Sequence, residues 1–312
     1  MKAYTSADQF KSNKATAVTI GTFDGVHIGH KKIIEQLCNV AKKEGLDSVL
    51  LSFFPHPRMV LQKDLSIKLI NTLEERRALF LKTGLDHLVV HPFTKNFSRW
   101  SAEEFVKTIL VDRLGIKKLI IGYDHRFGKN RTANIQDLLD YGKEYGFEVE
   151  EIPAQQISEV SVSSTKIRKL LTEGEIEKAN QYLGYHFSLS GKVVKGKGLG
   201  KSLGTATANI HIKEDYKLIP KKGVYVVMSN IEGKKTYGLM NIGVNPTLGE
   251  NPLSLEAHFF KLDKDLYNTT LNVELLKRVR DEKTFNNTEE LKKAIAEDIS
   301  FAEAYIKTLK DD

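Results

Sequence analysis

One cysteine, Cys38, occurs in 312 residues. An intrachain disulfide is therefore excluded, and such cysteine usage fits a reducing, cytoplasmic setting. Cys38 reads as filler on a buried helix face. No apolar run approaches membrane-spanning length, and the opening "MKAYTSADQF" has no apolar signal-peptide core, so no membrane association is expected. Internal repeats and low-complexity linkers are also missing. The net charge is +7, yet no long Lys/Arg block stands out. Dispersed basic residues read as a solvated surface, and no nucleic-acid partner is expected. With 41% hydrophobic and 28% charged residues, the chain is long enough for two ordinary domains with real cores.

Two textures divide it. From residue 15 to about 183, "ATAVTIG", "DSVLLSF", "DHLVVHPF", "KKLIIGYD" and "FEVEEIP" look like strands separated by helical patterns. Ile33, Ile34, Leu37, Val40 and Ala41 recur at helical spacing, and Gly45 suits the stop. Thr72–Glu75 and Ser101–Glu104 have capping-box spacing, with Gly84 and Gly115 closing the helices that follow. Such alternation implies an α/β domain with a parallel sheet covered on both faces. After Gly184, "FSLSGKVV", "GVYVVMSN", "KKTYGLMNIG", "LSLEAHFF" and "TLNVELLKRV" are strand-like, and "NIEGKK" and "KLDKDLYN" read as hairpin turns. A closed or partly closed antiparallel β-barrel follows. An amphipathic helix over 288–309, with Leu291, Ile295, Ile299, Ala302, Ile306 and Leu309 on its apolar face, ends the chain. The expected domains are 1–184 and 185–312.

The chemistry concentrates in short stretches. "GTFDGVHIGH" (21–30) falls where a strand gives way to a helix. Ligands of parallel sheets sit at such strand ends, and a helix N-terminus attracts anions. Gly21, Gly25 and Gly29 allow close backbone approach, and His27 and His30 would share a face on the first turn. Two imidazoles there could hold a triphosphate and the charge that grows on it. "FFPHP" (53–57) sets His56 between two prolines, which holds its backbone extended. "SSTKIR" (163–168) can start a helix with Ser164 or Thr165 as N-cap, and hydroxyls at a helix start also grip phosphate. Arg168 adds a fork for pyrophosphate. "GKVVKGKGLGKSLGTATANI" (191–210) is glycine-rich and basic, as a phosphate cradle needs. It is neither a Walker A loop, since Lys195 stands where glycine is required, nor G-x-G-x-x-G. Taken singly, each stretch also has an ordinary structural reading as a packing pair, a turn, a cap or a hairpin.

Their company and order carry a resemblance. "HIGH", "FFPHP", "GYDHRFG" (122–128) and "SSTKIR" follow one another as in bacterial bifunctional riboflavin kinase/FAD synthetases. The chain resembles that family over nearly its whole length. The resemblance implies a Rossmann-like nucleotidyltransferase domain followed by a riboflavin kinase barrel. Together these would make FMN from riboflavin, then FAD from FMN, using ATP and Mg²⁺. It implies ATP-binding roles for Gly21, Phe23, Asp24, Asp124, Ser164, Thr165 and Arg168 in the first domain, and for Gly196, Gly198, Gly200 and Lys201 in the second. Flavin contacts would come from Phe53, His56, Pro57, Asn241 and Arg280. Thr207 and Asn209 would supply oxygen ligands to magnesium. Where the family has Pro-Thr-Ala-Asn, this chain reads Ala206-Thr207-Ala208-Asn209, and Thr205 stands in place of the usual bulky apolar residue. "NIGVNPT" (241–247) and "LEAHFF" (255–260) also match, with Glu256 as the expected base.

The two reactions need different help. Riboflavin's 5′-hydroxyl is neutral, so its attack on the γ-phosphorus benefits from a carboxylate that takes the proton. The FMN phosphate, with a second pKa of about 6, is already anionic. Its attack on the α-phosphorus needs positioning and charge stabilisation, which His27, His30 and Arg168 can provide. Three alternatives stay open on sequence: an FAD synthetase with a silent flavin-binding barrel, nucleotidyl transfer to another acceptor, and a flavin-sensing RNA-binding barrel. Self-association is compatible with any of them.

Overall fold

Thr16–Ile20 is buried at every residue, as a central strand of a sheet covered on both faces must be. It forms β2 of a six-stranded parallel sheet with order β1-β4-β3-β2-β5-β6. The others are β1 (Lys2–Tyr4), β3 (Asp47–Phe54), β4 (His87–Pro92), β5 (Ile116–Gly122) and β6 (Glu148–Ile152). The five strands expected from sequence are all present. The sixth, β1, is a three-residue edge strand paired in parallel with β4. The computed structural model describes residues 1–61, 67–122, 134–153, 162–195, 207–244 and 253–311, with side chains through 309. Two compact units emerge, Met1–Ser164 and Thr165–Asp312.

Helices cover both faces of the sheet. Alternate strand residues Val18, Ile20, Val49, Leu51, Val89, Leu119 and Ile121 point into one core, with Phe105, Val106, Ile109 and Leu110 from the helix after β4. Their neighbours Ala17, Leu50, Leu88 and Ile120 point into the other, against Ile34 and Leu37 of α1 (Ile28–Glu44) and Phe80 of α3 (Leu73–Phe80). The period of two is the pleat itself. Each such aliphatic side chain contributes about 1.5–3 kcal/mol of burial. Both expected capping boxes form, at Thr72/Glu75 and Ser101/Glu104. The helix that begins with α4 (Ala102–Phe105) widens over Val106–Arg113, where Leu114 N–H reaches back five residues to Ile109 O. Gly45 caps α1 in the left-handed conformation.

His56 lies between the end of β3 and the start of a helix. Pro57 opens a short helix, α2 (Pro57–Leu61), and His56 Nδ1 accepts from Arg58 N–H at 3.2 Å. Proline at a first helical position has lost only an N–H that would be orphaned there anyway.

The second unit holds α6 from Thr165 onward (the helix spans Ser164–Glu173; α5 is Ile135–Tyr145), then α7 (Ile176–Leu183) and a closed barrel. The barrel order is β10-β11-β8-β7-β12-β9, from β7 (Ser188–Val194), β8 (Ala208–His211), β9 (Gly223–Ile231), β10 (Lys234–Val244), β11 (Leu253–Phe259) and β12 (Thr270–Arg280). "NIEGKK" makes the expected β9–β10 hairpin, with Glu232 and Gly233 at positive φ. "KLDKDLYN" does not make a hairpin. β11 and β12 are separated in the barrel by β8 and β7, so this segment is a crossing connection. The terminal helix α8 (Thr288–Asp311) packs Ala302 and Ile306 against Val224, Val226, Leu239 and Leu276 on the barrel wall.

Candidate active sites

Going from β2, the chain first lays β3 and β4 to one side and later β5 and β6 to the other. The crevice outside the carboxyl ends of β2 and β5 is thus the switch point where open α/β sheets bind ligands. "GTFDGVHIGH" leaves β2 at that point. Its backbone is unusual, for Phe23, Gly25 and Val26 all have positive φ, at 48°, 88° and 35°. A buried β-branched residue in that region is strained, and such strain persists only where surroundings over-determine it. The surroundings do so here. Phe23 and Val26 are buried, and Phe23 lies so close to Gly21 that a Cβ there would meet its ring at 2.9 Å. The Asp24 carboxylate is also buried and accepts from Ile70 N–H (3.0 Å) and Asn71 N–H (3.3 Å). These oxygens hold the turn against residues 70–71, so any ATP contact of the Asp24 carboxylate would be made alongside those bonds.

His27 is the N-cap of α1, its Nδ1 accepting from His30 N–H at 3.3 Å. The two imidazoles stack, centroids 3.6 Å apart, and Phe23 meets His30 edge-on at 5.0 Å. Burial pushes the His27 pKa down to about 4, against a smaller raising effect of the Asp24 charge. Burial, then His27 and then the Arg76 charge hold His30 well below the usual histidine range. Both rings are neutral at pH 7. Because Nδ1 of His27 accepts, its own proton is on Nε2, a donor. His30 Nδ1 is buried without a hydrogen-bond partner among the described residues. Behind the pair, Arg76 of α3 is 3% exposed. Its Nη1 donates to Thr22 O at 2.6 Å and lies 3.5 Å from Ser52 Oγ.

Other expected residues divide. Ser164 Oγ donates to Asp24 O at 2.8 Å, which ties the start of α6 to the same turn. Thr165 is exposed, and half-buried Arg168 lies one turn beyond Ser164. Phe53 packs into an aromatic cluster with Phe93, Phe97 and Phe105 at 5.7–6.3 Å. Pro57 and His56 are half-buried at α2. Asp124, Gly196, Gly198, Gly200, Lys201 and the Thr205-Ala206 departure lie outside the described residues.

In the barrel, register brings the expected residues together. Asn209 on β8 is the direct cross-strand partner of Glu256 on β11, and Glu256 that of Asn241 on β10. Directly opposed residues share a face, so the three form one row. All three are half-buried, while their strand neighbours Ala208, Ile210, Leu255, Ala257, Met240 and Ile242 are buried inside. Thr207 precedes Asn209 by two residues. Burial pushes the Glu256 carboxyl up. Continuing around the wall, Asn241 pairs with Val224, and Val224 with Arg280. Arg280 is committed to the buried Asp298 of α8 through contacts of 2.8 and 2.8 Å. Any flavin contact of Arg280 is made from within that ion pair.

Sequence reasoning passed over Arg76, Asp298 and Glu282. Glu282 accepts from Val244 N–H at 3.0 Å and fills the space a side chain at Gly243 would need. Only Arg76 carried a sequence signal: it falls on the Leu73–Arg76–Phe80 stripe of α3.

A family model described as FAD synthetase matches residues 9–166, and one described as riboflavin kinase matches 183–306. A bifunctional riboflavin kinase/FMN adenylyltransferase of Buchnera aphidicola is 38% identical over 303 residues, covering 96% of each chain. The one from Listeria monocytogenes is 36% identical, covering 96% of this chain and 94% of its own. The chain belongs to the bifunctional riboflavin kinase/FMN adenylyltransferase family. Both activities, phosphorylation of riboflavin to FMN and adenylylation of FMN to FAD, therefore reside in it, with ATP and flavins as substrates. The two matches favour this over an FAD synthetase with a silent barrel. The family's bacterial members include one from Escherichia coli, 33% identical with 90% of each chain covered. A solved structure described as a macrolide-efflux protein from Streptococcus pneumoniae is 26% identical, with a TM-score of 0.87 over 97% of this chain and 98% of its own. No helix among the described residues here is long and apolar enough to cross a membrane.

Proposed function

We propose that the two reactions are carried by two constellations of opposite electrostatic character. The Asn209–Glu256–Asn241 row serves the kinase. Glu256 takes the proton of riboflavin's 5′-hydroxyl as its oxygen attacks the γ-phosphorus, and ADP departs. The observation that supports this most directly is the raised, half-buried Glu256 carboxyl, which has no hydrogen bond or ion pair among the described residues. A carboxylate already tied to a cation would be a poorer base. Asn241 and Arg280 lie farther along the same row and serve the flavin. Thr207 and Asn209 offer neutral, hard oxygens, and no cluster of three or more His, Cys, Asp or Glu gathers among the described residues. That donor set suits Mg²⁺ that keeps waters and substrate phosphates as its other ligands. Bound there, Mg²⁺ would draw negative charge off the ATP phosphates.

Adenylylation is assigned to the strand-end turn. His27 Nε2–H and the backbone N–H groups of Thr22 and Phe23 donate to the ATP phosphates, Gly21 lets the backbone come close to them while its own N–H stays on Leu51 O, His30 supports His27 by stacking, and Ser164 and Thr165 add hydroxyls. Arg168 offers its fork to the departing pyrophosphate. The FMN phosphate is the nucleophile and needs no base. His56 and Pro57 are assigned to the flavin, as are Asp124 to ATP in the first half and Gly196, Gly198, Gly200 and Lys201 to ATP in the second. Asp24 positions the turn.

The functional halves are 1–184 and 185–312, while α6 and α7 lend their packing to the second unit. The single cysteine supports work in a reducing cytosol. Neither reaction calls on nucleic acid or a membrane, and self-association is compatible with both. Purified protein given riboflavin, ATP and Mg²⁺ should yield FMN and then FAD by chromatography. FAD from supplied FMN without any FMN from riboflavin would return the silent-barrel reading.

A further inference from the structure

We infer that Arg76 is a positioning residue for adenylyl transfer: its buried guanidinium fixes the strand-end turn and sets a permanent positive charge behind the stacked imidazoles. This rests on the assignment of His27 and His30 to that reaction.

Three observations carry it. The guanidinium is almost wholly buried yet reaches the Thr22 carbonyl at 2.6 Å, in the middle of the turn whose next residues are held at positive φ. A second contact, to Ser52 Oγ on β3, joins that turn to the neighbouring strand end. And half-buried His30 has a buried ring nitrogen, Nδ1, with no hydrogen-bond partner among the described residues. A residue serving α3 alone would not need to cross to the β2 turn, and a packing residue would not need a charge.

The charge has a chemical consequence. His27 can cap α1 only while its Nδ1 is unprotonated, because a proton there would face the His30 N–H, donor against donor. Protonation would therefore unseat the cap and reorient the Nε2 donor. Among the described residues, the charged and titratable groups around the pair are Asp24 from the turn, which favours protonation of His27, the two imidazoles themselves, and Arg76 from α3, which with His27 opposes protonation of His30. Phe23 and Ser52 complete the surround without charge. Arg76 thus supplies a positive charge that does not titrate, and it adds to the burial that keeps the His30 half of the stack from acquiring one that does.

The test is the pH dependence of FAD formation from supplied FMN and ATP, measured on full-length natural chain, R76K, R76Q and R76M. R76M should lower kcat by on the order of a hundredfold, the usual cost of a displaced catalytic group. Its acid limb should move to higher pH by about half a unit or more, as loss of a nearby charge requires. R76Q keeps a donor for Thr22 O but no charge, so its acid limb should move likewise, and it decides the matter if R76M does not fold. R76K should retain the natural acid limb and recover most of the rate. FMN formation from riboflavin should be unchanged in every variant. An acid limb in R76Q or R76M that coincides with the natural one overturns the inference, as does an R76K limb displaced as far as theirs. H30A separates the two readings: if it adenylylates normally, the histidine assignment itself has failed, whereas if it is inactive and the Arg76 variants keep their acid limb, only this inference has.

Discussion

The two candidate sites differ in what they do with charge. At the strand-end turn Asp24, His27 and Arg76 are all committed before substrate arrives. Asp24 is spent on two backbone N–H groups, His27 on a helix cap and Arg76 on the Thr22 carbonyl. In the barrel row the key group is left uncommitted: among the described residues Glu256 has no polar partner, and burial raises its pKa. The difference follows the nucleophiles. A phosphate that is already anionic asks for a rigid frame of neutral donors and fixed charge, and preorganisation is the main contribution to such sites. A neutral hydroxyl asks for a base, and a base must be free to take a proton. One chain can therefore transfer phosphoryl and adenylyl groups with unlike machinery.

The sharpest way to break this comparison is Glu256→Gln. The amide keeps the shape and removes the basic oxygen. Riboflavin phosphorylation should fall by roughly a hundred- to ten-thousandfold, mostly in kcat, while FAD formation from supplied FMN stays at its natural rate. Both are read by chromatography on one preparation. Parallel loss of the two activities would mean that Glu256 supports the fold and not the proton transfer.

His30→Ala is the mirror experiment, with a somewhat smaller expected effect. It removes the ring stacked on His27, and adenylylation should fall about a hundred- to thousandfold, leaving FMN formation intact. Persistent wild-type adenylylation would detach the pair from the reaction.

The committed turn should also be the more acid-sensitive region. His27 is buried with a folded pKa near 4, below the ordinary 6.5. Between those values the unfolded chain binds the proton that the folded one refuses, so acidification through this window destabilises the fold. The shift corresponds to a loss on the order of 3 kcal/mol by pH 4. Urea unfolding of Met1–Ser164, followed by a probe in that unit, should show its midpoint falling from pH 7 to pH 4, and His27→Gln should flatten the dependence. An equal acid slope with and without His27 would assign the sensitivity elsewhere.

How much of this was legible beforehand depended on range. The parallel strands and the capping boxes are local patterns, and residues 16–20, 72–75 and 101–104 behave as their spacing predicts. β1 escaped because three residues at a sheet edge show no period. "KLDKDLYN" has sound turn chemistry, but turn residues do not say which strand comes next in the barrel. Within the site, glycines and histidines drew the eye to the right turn. The partners of Asp24 lie 46 and 47 residues away, a distance no local pattern spans. Arg76 hid in "EERR", which reads as a solvated charge run although its helical position is on the buried stripe. The Asn209–Glu256–Asn241 row needed β-register across three strands, and motif order alone cannot give that.

The smallest expected effect tests where the second unit begins. Asn180 of α7 lies before the residue 184 boundary drawn from sequence, yet its side chain bonds two backbone groups of the barrel. Its Nδ2 donates to Leu275 O at 2.8 Å, and its Oδ1 accepts from Phe187 N–H at 2.7 Å. Neither backbone group belongs to a neighbouring helix, so the amide closes gaps at the edges of β7 and β12. Asn180→Ala leaves both groups without that partner. The barrel should lose about 1–3 kcal/mol, the cost of unsatisfied buried polar groups. Hydrogen exchange should read the loss at Phe187 and along β12, while amides of β2 and β3 keep their protection. If α7 is a connector and no more, the same substitution will leave β12 exchange unchanged, and the structural unit would then begin at 185 as the sequence textures suggest.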